Sequence, residues 1–97
     1  MGADDLGVTY HVVWHIQAAG ALRRLRGDDP AGAAQLAAAV EALAHNPRPT
    51  NAIPMGGSGW HRLRLGPYRA VYELLPDQQT VRVTNVGRVP RDRGPRP

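Results

Sequence analysis

The sequence contains no cysteine and no lysine among its 97 residues, and it has no long apolar run. Without cysteine, neither a disulfide framework nor a thiolate metal site can form, which fits a reducing cytoplasm. A membrane span would need roughly 18–20 consecutive apolar residues, and no segment provides them. Segment 1–7 carries Asp4 and Asp5 instead of a basic stretch, so we expect no secretory signal peptide. We therefore expect a cytoplasmic protein without membrane contact, folded as one domain over 1–97 with flexible termini at 1–7 and 89–97.

All twelve basic residues are arginines, and most of them lie in the C-terminal part of the chain. Residues 1–60 contain four arginines and five acidic residues, whereas residues 61–97 contain eight arginines and three acidic residues. A GC-rich genome would produce the preference for arginine over lysine, but it would not produce this uneven distribution. Such asymmetry favours a polyanionic partner, either nucleic acid or an acidic protein.

Two helices are predicted to follow a short N-terminal strand. Residues 8–14 are β-branched and aromatic, which is typical of a strand. Apolar residues at helical spacing predict a helix over 16–26 that ends at Gly27. A second helix is expected after Asp29, a natural N-cap, with Pro30 at its first position and its end at 45–47. The short turn and the many alanines predict a closely packed helical hairpin.

From Trp60 onward the apolar residues recur with the two-residue period of strands. Strands are predicted over 60–65, 68–75 and 80–86, joined by tight turns, and the proline- and glycine-rich segment 48–59 is predicted to be a loop. Three such strands form an antiparallel meander. The fold class is therefore α+β, in the order β-α-α-β-β-β, with the helical hairpin packed on one face of a small, mainly antiparallel sheet.

Alternation along the first strand of the meander brings arginines to one face. Leu63 and Leu65 belong against the helices, so Arg62 and Arg64 are expected on the open face, and Arg69 begins the neighbouring strand close to them. Guanidinium groups held this close repel one another, and bidentate binding of phosphate oxygens would compensate for that repulsion. The same pattern is also typical of an ordinary solvated face, and the residues alone leave both interpretations open.

Other residues that could carry chemistry fit structural roles at least as well. His11 and His15 straddle a strand and a helix start, so the helical metal-ligand spacing does not apply, and we expect neither a metal nor a cofactor. His61 alternates with the core-facing leucines, which favours a partly buried, hydrogen-bonded state, although a general-base role stays open. The glycine-rich segment 56–59 precedes a strand, so no helix N-terminus is available there for an anion.

Three stretches of the sequence resemble the RelE/ParE superfamily of toxin–antitoxin toxins. They are Asn46-Pro47-Arg48-Pro49 after the helical hairpin, the run from Trp60 to Tyr72, and Asn85-Val86-Gly87-Arg88. The resemblance covers about residues 8 to 88, and its most specific part is the alternation of Trp60, Arg62 and Arg64 followed by Tyr68-Arg69. The order β-α-α-β-β-β is also the order of that superfamily.

The resemblance to RelE-like members implies a ribosome-dependent endonuclease that cleaves mRNA by attack of the 2′-hydroxyl, without a metal. It assigns catalytic roles to Arg62, Arg64 and Arg69, with Arg88 as a fourth arginine near the Val-Gly turn. Arg82 and Arg91 are further RNA-binding candidates. The implied partners are the ribosome, mRNA and a cognate acidic antitoxin in a hetero-oligomeric complex.

The tail departs from the RelE pattern, because no tyrosine or histidine follows Tyr72. RelE-like toxins usually carry one there in a short final helix, so His61 becomes the substitute candidate for an acid or base. Two alternatives stay open at this point. One is a ParE-type toxin that binds DNA gyrase without cleaving nucleic acid, and the other is a weak toxin that acts mainly as an antitoxin-binding corepressor.

Overall fold

A computed structural model describes residues 9–89 of the chain. The elements, in chain order, are strand β1 (His11–Trp14), helix α1 (Ile16–Asp28), helix α2 (Pro30–Glu41), a 3₁₀ turn (Ala42–Ala44), strands β2 (Ala52–Pro54), β3 (Trp60–Leu65) and β4 (Tyr68–Leu75), a second 3₁₀ turn (Pro76–Gln78), and strand β5 (Thr80–Arg88). The α+β class and the position of the helical hairpin are confirmed. The predicted flexible ends lie outside the described residues, except for Val89, whose backbone N–H donates to the carbonyl oxygen of Pro67.

The helical hairpin turns at Asp29, which caps the second helix as predicted. Its carboxylate accepts a hydrogen bond from the backbone N–H of Gly32 at 3.0 Å, which satisfies one of the free donors of the first turn. The first helix runs through Gly27 to Asp28, so the predicted range 16–26 was two residues short. Leu22 and Leu25 face inward from this helix, and Leu36 and Val40 do so from the second.

The sheet has five strands in the order β1-β5-β4-β3-β2, and two of its pairings differ from the predicted meander. The strand β1 pairs in parallel with β5, and the long connection that a parallel pair requires is supplied by the helical hairpin and the strands between them. The segment predicted as loop contains the short strand β2, which pairs with β3. Pro54 is tolerated there because β2 is an edge strand whose outer side needs no donor.

The core lies between the helical hairpin and one face of the sheet. Its largest fully buried side chains include Leu36, Leu43, Leu63 and Tyr72. The hydroxyl of Tyr72 donates to the carbonyl oxygen of Pro47 at 2.6 Å, which ties the chain after the second helix to the middle of the sheet. Burial raises the pKa of Tyr72 to about 12. The opposite face of the sheet is not covered by any described element and is called the open face below.

A β-bulge changes the alternation of β5. Tyr72 pairs with Val83 and Val71 pairs with Asn85, so Thr84 is the extra residue between them. Before the bulge, Val81 and Val83 point to the helices. After it the parity is reversed, so that Asn85 points to the open face and Val86 is buried.

Candidate nucleic-acid interface

The open face carries its side chains in rows that run across the strands, since residues paired in a ladder share a face. The first row, next to the turn between β3 and β4, consists of Arg64, Arg69 and Gly87. The second row consists of Ile53, Arg62, Val71 and Asn85. The third row consists of Trp60, Glu73, Arg82 and Val13.

Three of the predicted arginines come together in the first two rows, and we call Arg62, Arg64 and Arg69 the arginine cluster. Arg64 and Arg69 are directly opposite each other in the ladder. All three line a surface cavity of about 170 Å³ beside Gly66 and its turn. Like charges placed opposite each other on a sheet destabilise it, so the cluster favours a bound anion.

None of the three arginines forms an ion pair with a carboxylate of residues 9–89. The backbone of Arg64 is nevertheless fixed by two hydrogen bonds with Asn51. Its N–H donates to the backbone carbonyl oxygen of Asn51 at 3.0 Å, and its carbonyl oxygen accepts from the side-chain amide of Asn51 at 2.6 Å. Arg64 and Arg69 are exposed, whereas Arg62, in the middle of β3, is half-buried. The cluster therefore presents charge on rigid strands, which lowers the entropic cost of binding phosphate.

Arg82 is separated from the arginine cluster and already has a partner. It lies in the third row directly opposite Glu73, and its guanidinium forms an ion pair and a hydrogen bond with that carboxylate. Its predicted role in RNA binding is untested, but much of its charge is compensated within the sheet. Arg91, the other RNA-binding candidate, lies outside the described residues.

Arg88 does not join the arginine cluster. The bulge turns it toward the helices, where its guanidinium lies 3.8 Å from the carboxylate of Asp29. The same carboxylate accepts a hydrogen bond from the hydroxyl of Tyr68, which pairs with Arg88 in the ladder. The pKa of Asp29 is lowered, mainly by the hydrogen bond from Tyr68, then by the hydrogen bond from the backbone of Gly32, and less by the charge of Arg88. The expectation that Arg88 adds a fourth charge to the open face is therefore not met by this arrangement.

His61 lies on the helix side of the sheet, not on the open face. It is 8% exposed, its ring stacks on Tyr72 with 5.2 Å between centroids, and its Nδ1 lies 2.9 Å from the carbonyl oxygen of Gly59. This agrees with the partly buried, hydrogen-bonded state that its spacing favours. From this position its ring does not reach the cavity of the arginine cluster, and its use as a substitute acid or base remains a prediction without geometric support.

Asn85 and Met55 also lie beside the arginines, and no pattern in the sequence predicts their position there. Asn85 reaches the open face through the bulge, and Met55 follows the unpredicted strand β2. A motif reading of the Asn85-Val86-Gly87-Arg88 stretch emphasises Arg88, whereas the structure brings Asn85 to the site. Only the regular positions of β3 and β4 could be assigned to a face in advance.

Within residues 9–89, no three His, Cys, Asp or Glu side chains are grouped as metal ligands would be. The described helices are all too short or too polar to cross a bilayer. On the open face, the rows that hold the arginine cluster carry guanidinium, amide and apolar groups, and the carboxylate of Glu73 in the third row is paired with Arg82.

Two helices on one face of a five-stranded sheet, with a basic face opposite, define a small α+β protein of the RelE/ParE superfamily. The sequence model described as "ParE toxin of type II toxin-antitoxin system, parDE" matches residues 12–93, so the chain belongs to this family. It is the toxin of a type II toxin–antitoxin system. No curated protein is detectably similar in sequence.

Solved structures share this fold. The RelE–RelB complex of Pyrococcus horikoshii is 25% identical, with a TM-score of 0.74 over 88% of this chain and 100% of that one. The isolated E. coli RelE toxin is 22% identical, with a TM-score of 0.72 over 86% of this chain and 87% of that one. The chromosomal ParDE system of P. aeruginosa gives 17% identity and a TM-score of 0.65, over 84% of this chain and 97% of that one. RelE and ParE structures thus share this fold, so the fold alone does not distinguish a RelE-type target from a ParE-type target.

Proposed function

We propose that this toxin arrests translation by binding ribosome-bound mRNA through the arginine cluster and cleaving it slowly. The observation that carries the proposal is the convergence of Arg62, Arg64 and Arg69 around one cavity of the open face, without a carboxylate of residues 9–89 paired to any of them. Three guanidinium groups on neighbouring strands can each donate to phosphate oxygens, as the backbone of a nucleic acid requires.

In the proposed reaction the 2′-oxygen attacks the adjacent phosphorus and the bond to the 5′-oxygen breaks. The products are a 2′,3′-cyclic phosphate and a new 5′-hydroxyl, and the 2′-hydroxyl proton is lost as the leaving oxygen gains one. The arginine cluster stabilises the doubly negative phosphorane, and each well-placed donor contributes about 10²–10³-fold in rate.

Proton transfer is the weak part of this site. Neither row that holds the arginine cluster contains a tyrosine or a histidine. Tyr68 borders the cavity of the cluster, but its hydroxyl donates to the carboxylate of Asp29, and this hydrogen bond raises the pKa of Tyr68, which makes it a poorer proton donor. Loss of a general acid or base slows such reactions by about 10²–10⁴-fold. We therefore expect strong binding and slow cleavage, with water or ribosomal groups accepting and supplying the proton.

The proposal is tested by inducing the wild type, Arg69→Ala and Arg23→Ala in cells and mapping mRNA ends by primer extension. Arg23 is an exposed arginine of α1, on the other side of the molecule, and serves as the matched control. Arg69→Ala should abolish growth arrest and codon-phased cuts, whereas Arg23→Ala should retain both. Growth arrest that persists unchanged in Arg69→Ala would reject the proposal.

Binding can be measured apart from cleavage, using single-stranded RNA and the purified chain. Each phosphate contact to a single strand contributes about −0.7 to the slope of log K against log salt concentration. Arg69→Ala should make the slope shallower by about this amount, and Arg23→Ala should not. Equal slopes for all three proteins would mean that the arginine cluster does not hold the phosphate backbone.

A gyrase-directed, ParE-type activity is the second candidate. It is favoured by the family description and by the position of Arg88, which pairs with Asp29 instead of joining the arginine cluster. A supercoiling assay with purified gyrase separates the candidates, since only this one predicts inhibition in the absence of ribosomes. The third candidate, a corepressor that binds its antitoxin without being toxic, predicts neither growth arrest on expression nor inhibition of purified gyrase.

The proposed partner in every case is an acidic antitoxin. The E. coli RelBE structure, which is similar in fold, is a toxin–antitoxin complex. For this chain we expect acidic residues of the antitoxin to cover the arginine cluster, because they would relieve the repulsion among its guanidinium groups. When Arg62 and Arg64 are replaced by alanine, the toxin–antitoxin complex should dissociate at a lower salt concentration than the wild-type complex. Native mass spectrometry at increasing ionic strength measures this dissociation.

A further inference from the structure

A second cavity, also of about 170 Å³, adjoins the cavity of the arginine cluster on the open face. The residues that line it are Met55, Arg62, Arg69, Val71, Asn85 and Val86. Arg62 and Arg69 border both cavities, so a ligand held by these two guanidinium groups extends directly into the second one. The chemistry of the two cavities differs, because the first is dominated by cations and the second combines apolar surface with an amide.

The amide is aimed into this cavity by the bulge at Thr84. With regular alternation from Val83, residue 85 would point into the core and a valine would occupy the open face. The extra residue is held in place by the hydroxyl of Thr84, which donates to the carbonyl oxygen of Val71 at 3.3 Å. Bulges commonly redirect a side chain at a functional site. In this case the redirected side chain is the only carboxamide in the two rows that hold the arginine cluster.

The side chain of Asn85 is exposed and makes no hydrogen bond with any group of residues 9–89. Val71, half-buried, lies directly opposite it, and the side chain of Met55, 40% exposed, also lines the cavity. A nucleobase has an apolar face and a polar edge, and this cavity offers an apolar wall and a free amide. A carboxamide donates and accepts at once, which matches the N6 amino group and N7 of adenine.

We propose that this second cavity is a nucleobase subsite and that Asn85 is its specificity-determining residue, with adenine as the preferred base. The inference rests on the proposed function, since it places the base of a nucleotide whose phosphate is held by Arg62 and Arg69. It adds a source of sequence preference to a surface whose arginines contact only the phosphate backbone.

The test compares binding of fluorescent A5, C5 and U5 oligoribonucleotides to the full chain by anisotropy. Tripolyphosphate, which has charge but no base, is measured as a competitor in the same assay. The variants are Asn85→Ala, Asn85→Gln and the control Gln35→Ala, which removes an exposed amide from α2 on the helix side. Wild type should prefer A5 over U5 by at least about fivefold, the lower end of what a bidentate amide–adenine contact provides.

Asn85→Ala should reduce this preference to below about twofold while leaving competition by tripolyphosphate unchanged. Asn85→Gln should retain part of the preference, and Gln35→Ala should retain all of it. If the wild type binds all three RNAs equally, or if Asn85→Ala keeps the full preference, the subsite is refuted while the proposed function stands. If no RNA binds and Arg69→Ala changes nothing, the proposed function fails, and the subsite fails with it.

Discussion

Gly32 is the residue at which a single methyl group should test the packing beneath the arginine cluster. A Cβ added there would collide with the hydroxyl and ring of Tyr68 and with the carboxylate of Asp29. Both groups belong to the hydrogen-bonded junction between the helical hairpin and the start of β4. Because Tyr68 is rigidly placed in the ladder and Asp29 caps α2, neither can move without breaking a hydrogen bond.

Gly32→Ala should therefore destabilise the fold despite the better helix propensity of alanine. Overpacking costs about 1–3 kcal/mol, and loss of the cap and the tyrosine hydrogen bond adds about 1–2 kcal/mol. The gain in helix propensity offsets about 1 kcal/mol of this. We expect a net loss of about 1–4 kcal/mol, which lowers Tm by roughly 5–30 °C in a domain of this size.

Urea denaturation followed by circular dichroism measures the effect, with Gly27→Ala as the matched control. A Cβ at Gly27 would meet no atom within 4 Å, so this substitution within α1 should stabilise the fold by about 0.5 kcal/mol. In a Tyr68→Phe background the cost of Gly32→Ala should be at least about 0.5 kcal/mol smaller, because the hydroxyl is gone. Gly32→Ala at or above wild-type stability would refute the geometry of this junction.

Three further measurements test the energetics of the fold. Burial raises the pKa of Tyr72 to about 12, so its neutral form contributes roughly 2–3 kcal/mol to the free energy of unfolding. This contribution is fully present below pH 10 and is lost as the pH rises through about 12. Urea midpoints measured from pH 9 to 12 should therefore fall less steeply in Tyr72→Phe than in the wild type, and identical slopes would contradict the burial argument. The pKa of Asp29 is lowered, so the ionised carboxylate stabilises the fold above its ordinary pKa of 3.8, and this stabilisation is lost as the pH falls below that value. Asp29→Asn should be less stable than the wild type at neutral pH and should lose less stability on acidification. Parallel pH profiles of the two proteins would refute this. Leu36→Ala, at a fully buried position, should cost about 2–5 kcal/mol by urea denaturation, whereas the exposed Gln35→Ala should change stability by less than about 0.5 kcal/mol.

The regular parts of the fold were predictable because local pattern and tertiary environment agree there. The cap at Asp29 and the bounds of β3 and β4 follow from residue type and period, and the structure has them where they were expected. The edge strand β2 was missed because three residues interrupted by Pro54 carry no strand pattern of their own, and the pairing with β3 supplies the reason for their extension. Parallel pairing of β1 with β5 joins segments about seventy residues apart, so no local pattern contains it.

By itself the sequence determined that a helical hairpin covers a sheet and that Arg62, Arg64 and Arg69 share its open face, because a two-residue period leaves no other arrangement once the leucines are buried. The tertiary structure decided which other side chains lie beside these three arginines. A single extra residue at Thr84 reverses the alternation of β5, and this reversal brings Asn85 to the arginine cluster and turns Arg88 toward Asp29. A bulge is set by how two strands fit over a common core, which is a property of the packed sheet rather than of the residues in either strand.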